Sequence, residues 1–518
     1  MSALALGQGG FDAKLSIGDF ARKRTGNGGG RSYLAQRERE GGRNPVEPNK
    51  RPVILWLRRD LRLHDHPAMQ AAVQSGRPVI PVFICDETVE ALGAAPKWRL
   101  GQALEAVSAS LYGIGSRLVL RKGPALDVLR ALILETGAEA VYWSRYYDGP
   151  ARARDTKVKA ALKADGLDAQ SFAGFLLFEP WAVETKQGGP YRVYTPFWKA
   201  VRSLSVAPPE PAVTGLRAPD RWPESDALTD WRLGAAMHRG AEVVTRYARI
   251  GERAALDRLQ RFCAEKIGGY AEARDFPARE ATSRLSENLT YGEISPRTVW
   301  HAGWRCVQDG ARGAEHFLKE LVWREFAWHL FYHFPDLAQV NWRREWDSFP
   351  WRGDSADAES WRRGMTGEPL VDAAMRELYT TGTMHNRARM IAASYLTKHL
   401  LTDWRIGRAW FEETLIDWDP AANAMGWQWV AGSGPDAAPY FRVFNPAGQA
   451  EKFDKQTLYQ RRFIAEGQRA PAAPALDYFA AVPNHWALSP TRPYPSARVD
   501  LAEGRARALA AYERHRRS

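Results

Sequence analysis

A chain of 518 residues, 45% hydrophobic and 25% charged, is long enough for two to four domains and too apolar for a mostly disordered protein. Its three cysteines, Cys85, Cys263 and Cys306, exclude a disulfide scaffold and four-cysteine zinc or iron–sulfur sites. A net charge of +12 and a pI near 9.5 favour a polyanionic partner such as nucleic acid, although a merely basic enzyme reads the same; no run approaches the roughly 18 apolar residues of a membrane span. Residues 1–50 form a Gly-, Arg- and Glu-rich block with nine Lys/Arg against five Asp/Glu, and read as a disordered extension. The opening MSALALG has no basic flank and no clear cleavage site, so a cytoplasmic protein is expected.

From 51 to 180 strands and helices alternate. PVILWL (52–57), PVIPVFI (78–84), RLVL (117–120) and AEAVYW (138–143) are short apolar runs bounded by turn residues, as buried parallel strands are. Helical stretches near 66–75, 97–112 and 124–136 separate them. The alternation predicts an α/β domain with an open parallel, Rossmann-like sheet. The first strand runs into RRDLRLHDH without a G-x-G-x-x-G, and no Walker loop occurs, which disfavours a standard dinucleotide or NTPase site. The Pro-rich stretch APPEPAVTGLRAPDRWPE marks 181–249 as an inter-domain connector. From 250 to 480 the periodicity is helical and predicts a larger all-α domain, followed by a C-terminal segment, 481–518. Within it, 367–378 carries a helical apolar stripe with Gly382 placed to end it, 386–401 repeats the pattern, and Ser295-Pro296 reads as an N-cap followed by proline at the first helical position.

Four constellations could carry chemistry. Thr282-Ser283-Arg284-Leu285-Ser286 sets hydroxyls and backbone N–H groups before a helix, an anion site or an ordinary capping cluster. Glu320, Trp323 and Arg324 share a helix face, able to recognise a base or to act as an ion pair beside a core indole. Met384-His385-Asn386-Arg387-Ala388-Arg389-Met390 opens a helix, with arginines for phosphates and Asn386 and Met390 as i,i+4 neighbours, or a solvated basic face. Asp417-Trp418-Asp419 precedes Asn423 and Trp427-Gln428-Trp429; no His or Cys is spaced to complete a metal site, so no metal is expected. The 21 tryptophans suit packing, and also stacking on bases or on a flat cofactor.

In this order and layout the motifs resemble the cryptochrome/photolyase family, from about residue 51 to 480. TSRLSENLTYGEISPR, FLKELVWREFAWHL, GEPLVDAAMRELYTTGTMHNRARM, DWDPAANAMGWQW and PYFRVFNP carry the resemblance. It implies FAD held in a U shape in the helical domain and an N-terminal domain able to hold an antenna chromophore. The subfamily residues Asn423, Asn386 and Met390 are similar to those of a class I-like cyclobutane pyrimidine dimer photolyase; the (6-4) enzymes carry histidines at the last two positions, and plant cryptochromes an acid at the first.

By the same resemblance, Tyr270, Thr282, Ser283, Leu285 and Ser286 would hold the FAD phosphates and ribityl chain. Asp417 and Asp419 would lie near the flavin ring and adenine, with Arg389 close by and Asn423 facing flavin N5. Trp427, Trp404 and Trp351 match a relay that brings electrons to photoexcited oxidised flavin. Glu320, Trp323, Met390 and Trp429 match dimer-contacting positions, Glu320 and Asn386 steadying the anionic dimer, with proton donation if Glu320 is protonated. Arg274, Arg387 and Arg442 match phosphate-facing positions on a DNA surface. Cys85 and Arg99 fall where deazaflavin-type members have matching residues, whereas RYYDG at 145–149 lacks residues typical of folate-binding members, so a deazaflavin, a folate or no antenna remain open. The activity implied is light-driven repair of cyclobutane pyrimidine dimers in UV-damaged DNA by a flipped-out mechanism, probed against a cryptochrome-like photoreceptor without repair activity, in a protein expected to be a monomer.

Overall fold

The computed structural model describes residues 50–436, 440 and 442–517, so the reading of 1–50 as an extension lies outside the described residues apart from Lys50. Five parallel strands, β1 (Val53–Leu57), β2 (Val79–Cys85), β3 (Val119–Lys122), β4 (Ala140–Ser144) and β5 (Asp168–Phe172), form one sheet in the order β3-β2-β1-β4-β5. β1 is central, with Val53 beside Val79 on one flank and Ala140 on the other. Every residue of β1, β2 and β4 is buried, because helices cover both faces. Val53, Leu55 and Leu57 pack into one apolar layer, Ile54 and Trp56 into the opposite one. The four strands expected from the apolar runs are present. The fifth, DAQSF, is an edge strand with only Ala169 fully buried, so it carries no apolar run to read.

The chain moves outward from β1 through β2 to β3, then returns to the other side of β1 for β4 and β5. That reversal is a switch point, and the carboxyl ends of β1, β2 and β4 open there toward the helical part. The 181–249 segment holds the Tyr194–Val201 helix and several single turns, and ties back to the sheet region: the Val79 amide donates to the Arg217 carbonyl at 2.8 Å.

The Ala314–His333 helix is buried on nearly every side from Glu320 to Phe331, which makes it a central strut. The Pro369–Thr381 helix ends at Gly382, as expected; φ there is +70°, and a Cβ would meet Ile416 at 2.6 Å. Ser295 caps the Pro296–Gln308 helix, its Oγ accepting from the Thr298 amide at 3.0 Å. The helix expected over 386–401 is regular only over Asn386–Ser394. It then widens into a π-turn, Tyr395–His399, closed by the Leu400 amide on the Tyr395 carbonyl at 3.0 Å.

Candidate active site

Two hollows in the helical part share Ser286, Asn386, Arg389 and Asp417. One, of about 740 Å³, is lined largely by apolar side chains and includes Asn423, Asp419, Phe411, Trp418 and Trp427. The other, of about 830 Å³, includes Tyr270, Thr282, Ser283, Arg284 and His385. A half-apolar, half-polar pair of joined hollows suits a ligand with a flat ring at one end and charged oxygens at the other.

Local structure explains the placement. Arg284 has φ +52° and Leu285 returns to the right-handed region, a left-then-right pair that turns successive backbone N–H groups into a concavity for an anion. Arg389 reaches across to Asp417 with two bonds, 2.8 and 3.0 Å, and its Nε donates to the Met384 carbonyl at 2.8 Å. Asp419 caps the Pro420–Ala431 helix through the Ala422 amide at 2.8 Å and accepts from Trp328 Nε1 at 2.9 Å. Asn423, on that helix, donates to the Arg408 carbonyl at 3.1 Å.

Two groups aimed into these hollows stand within the sequence constellations without having been assigned to the cofactor. Arg324 lines the apolar hollow with Nε and Nη2 buried and without an acceptor among the described residues. His385 Nδ1 accepts from the Arg387 amide at 3.1 Å, which leaves Nε2 as the N–H donor, buried and unsatisfied. Burial pushes the His385 imidazole down to about 3, so it is neutral. Orphaned donors at both ends fit FAD, whose flavin carbonyls and diphosphate are acceptors. From the sequence His385 reads as a satisfied core or surface group; its unpartnered Nε2 corrects that, because the acceptor it needs is supplied by no described residue.

Glu320 is 1% exposed and forms an ion pair with Arg274; its Oε2 is buried and has no partner. Burial opposes the Arg274 charge most strongly of any one influence, but Glu320 together with Tyr270 and Asp275 outweighs it and raises the arginine's pKa. Arg274 therefore departs from the expected phosphate-facing surface position: it is buried because it neutralises Glu320. Trp323 is stacked flat on Tyr194, ring centroids 3.6 Å apart and 7° from parallel, and Tyr194 is anchored by its hydroxyl on the Lys319 carbonyl at 2.7 Å. Met390 and Trp429 are buried, at 3% and 7% exposure. Arg387 pairs with Asp275 at 2.5 Å, and Arg442 is exposed.

The three relay candidates lie on adjoining segments. Trp427 lines the apolar hollow, and its ring packs over Gly407, where a Cβ would come within 2.0 Å. Trp404 starts that same Trp404–Thr414 helix. Arg352, next to Trp351, pairs with Thr402 and accepts at its carbonyl from the Asp403 amide at 2.9 Å. Ring neighbours of Trp427 also include Phe411 at 4.9 Å and Trp361 at 6.0 Å.

At the strand ends a further cavity of about 1500 Å³ lies between the sheet and the helices, lined by Arg58, Asp86, Tyr146, Asp148, Arg154 and Trp418 among others. Cys85 and Arg99 are not among its walls. Cys85 packs in the apolar layer over the sheet, and Arg99 is fully buried against Glu293 (2.6 and 2.9 Å) and Glu287 (3.2 Å). Tyr146 and Asp148, from RYYDG, do line it.

A parallel-sheet module joined to a helical module whose two hollows offer an apolar and a polar end fits a class of proteins that hold a dinucleotide-type cofactor among helices, without the glycine loop of a standard dehydrogenase or NTPase. Two family models agree: DNA photolyase over residues 53–213, and the FAD binding domain of DNA photolyase over 317–514. A deoxyribodipyrimidine photo-lyase of Agrobacterium fabrum is 48% identical over 89% of this chain and 97% of its own length. A bacterial class III photolyase from Agrobacterium tumefaciens superposes with a TM-score of 0.85 at 46% identity, over 92% of this chain and 100% of that one. An archaeal photolyase from Sulfolobus tokodaii, whose structure contains two FAD molecules, gives 0.72 at 29% identity, over 89% and 100%. The chain belongs to the DNA photolyase/cryptochrome family. The subgroup of its 46%-identical neighbour is class III, which the class I-like motifs had not singled out.

Proposed function

We propose that this protein is a deoxyribodipyrimidine photo-lyase: an FAD-dependent enzyme that uses light to split cyclobutane pyrimidine dimers in DNA. The observation that carries the reading is Glu320 Oε2, a buried acceptor without a partner, on a carboxylate whose other oxygen pairs with Arg274 of the polar hollow's wall. Pyrimidines present an imide or amino N–H at their base-pairing edge, and leaving such an acceptor unmet costs about 1–3 kcal/mol, so a lesion that meets it is selected. When bound and reduced, FAD supplies the photoexcited electron that opens the two carbon–carbon bonds and then takes it back.

The chain's residues do the rest. Arg389 and Asp417 fix the polar seam between the two hollows, and Arg324, His385 and the Thr282–Ser286 turn supply donors to the cofactor. Asn423 stands at the ring end of the hollow. Asn386 faces both hollows and, with Glu320 and Arg274, offers hydrogen bonds and positive charge where the dimer becomes anionic. Trp323, Met390 and Trp429 would wall the flipped dimer, an arrangement that photolyases are known to need because the lesion must leave the duplex. Exposed Arg442 and half-buried Arg387 would contact phosphates, so affinity should fall with salt. Trp427, Trp404 and Trp351 would re-reduce oxidised flavin. The strand-end cavity would take a second chromophore of flavin, deazaflavin or folate type, walled by Tyr146 and Trp418 instead of Cys85 and Arg99. Residues 51–180 would thus form the antenna-type domain and 250–480 the catalytic one, joined by 181–249. We take the enzyme to act as a cytoplasmic monomer on DNA; among the described residues no helix is long and apolar enough to cross a membrane.

The test is an oligonucleotide with one thymine dimer, mixed with the chemically reduced protein and either illuminated or kept dark. Restoration of thymines in the light alone is expected. Bound, reduced FAD with no repair would replace this reading with the photoreceptor one.

A further inference from the structure

The three relay tryptophans differ at one atom. The indole N–H groups of Trp351 and Trp427 are buried and meet no acceptor among the described residues. That of Trp404 donates to Asn341 Oδ1 at 2.9 Å. Asn341 Nδ2 then donates to Asp347 Oδ1 at 2.7 Å. Trp404 is 0% and Asn341 1% exposed, while the Asp347 side chain is 50% exposed. A buried indole is thus wired through a buried amide to a carboxylate at the rim.

We propose that Asn341, backed by Asp347, is a positioning residue that makes Trp404 more easily oxidised than Trp427 and so draws the positive charge away from Trp427. This inference rests on the relay reading above. When Trp427 has lost an electron, one electron passes to it from Trp404; Trp427 is neutral again, and Trp404 holds the positive charge. Its N–H then becomes a far stronger donor, and a neutral hydrogen bond turns into a charge-assisted one, roughly twice as strong. The gain exists only where an acceptor is already aligned, since no solvent reaches an indole at 0% exposure. The Asp347 charge polarises the amide and makes Oδ1 a better acceptor. An amide oxygen is too weak a base to remove the proton, so Trp404 stays a cation that can pass its charge on to Trp351.

Other charges nearby largely cancel. Arg405 lies 4.8 Å over the Trp404 ring, which opposes oxidation, but Asp403 binds its Nη1 at 3.0 Å. Arg344 stands 3.8 Å from Asp347 with its side chain 63% exposed, where water screens it.

The variants are Asn341→Leu, Asp347→Asn and, as reference, Trp404→Phe. In the protein without added light, the ¹H–¹⁵N indole signal that disappears in Trp404→Phe should move upfield in Asn341→Leu. With oxidised FAD bound, a laser flash should give a charge separation about tenfold shorter-lived in Asn341→Leu, and about threefold shorter in Asp347→Asn. A signal that moves while the lifetime stays unchanged overturns the proposal and leaves the relay intact. An unmoved signal also overturns it. If Trp404→Phe itself leaves the lifetime unchanged, the relay reading fails first. Should Asn341→Leu not fold, the surface change Asp347→Asn decides alone.

Discussion

The two cavities that flank Trp418 differ in how far their charges are paired. In the helical hollows, charged and polar groups are left wanting: two nitrogens of Arg324 and Nε2 of His385 are buried without partners. At the strand ends most charges have found a counter-charge, although Arg58 Nε, Arg408 Nε and Trp418 Nε1 are buried without an acceptor among the described residues. Arg58 binds Asp155 at 2.6 Å, Arg154 binds Asp155 at 2.9 Å, and Arg408 binds Glu412 at 2.9 Å. The first kind of wall demands an occupant, because each unmet buried group costs free energy until a ligand satisfies it. The second kind has its arginines tied to carboxylates and can host a flat chromophore by shape and stacking on Tyr146 or Trp418.

The strongest way to break the contrast is Arg389→Ala. It would leave Asp417, 5% exposed, without its counter-charge at the seam of the two hollows. Uncompensated buried charge costs about 3–5 kcal/mol, so flavin per protein chain, measured by absorbance after gel filtration, should fall to a small fraction. Full flavin retention would show that the seam is not the anchor.

Acid should strike the helical hollow selectively. His385 stays neutral in the fold down to about 3, whereas an unfolded histidine takes up a proton near 6.5. Between those values the unfolded chain binds more protons, so stability is complete above pH 6.5 and is lost as pH falls, by about 1.4 kcal/mol per unit. From pH 6.5 to 5 that is about 2 kcal/mol from this residue. His329 and His399 are pushed down to about 4 and add to the slope, so the measurement is the difference between the wild-type chain and His385→Asn, which keeps a capping side chain. Parallel denaturation curves for the two proteins across this pH range would contradict the assignment.

What could be read in advance followed local rules. The strands β1 to β4, the glycine stop at 382 and the Ser295 cap depend on residues a few positions apart, and the paired motifs gathered Asn386, Arg389, Asp417 and Asn423 round one hollow. The failures were set by partners far along the chain. Arg99 turns to Glu287 and Glu293, nearly two hundred residues on, and Arg274 turns inward to Glu320; neither pairing leaves a trace in sequence spacing. The Tyr194 ring behind Trp323 comes from the 181–249 segment, where the prolines had signalled only an inter-domain connector. β5 was hidden because an edge strand needs no apolar run.

A smaller effect separates cofactor binding from chemistry inside the helical hollow. Glu320→Gln keeps the volume and one acceptor oxygen but removes the charge that balances Arg274 and that, in the proposed function, would receive the lesion's N–H. Repair per absorbed photon should fall about tenfold, the worth of one charge-assisted hydrogen bond, while flavin content stays unchanged. Equal losses of flavin and repair would place Glu320 in the cofactor site instead of at the lesion.

The smallest effect belongs to the strand-end cavity and sharpens the comparison from the other side. Ala338 lies on its wall, half-buried and outside every ion pair there. Ala338→Trp should fill the space with stability changed by no more than about 0.5 kcal/mol, because the site is at the surface and can adjust. Under light absorbed by the flavin, repair should stay within about twofold of the wild-type chain, since no group of the helical hollow has moved. The action spectrum should lose any contribution from a second chromophore. If the substitution instead releases flavin, the two cavities are coupled through Trp418, and the strand-end wall is a support for the catalytic hollow as well as a seat for an antenna.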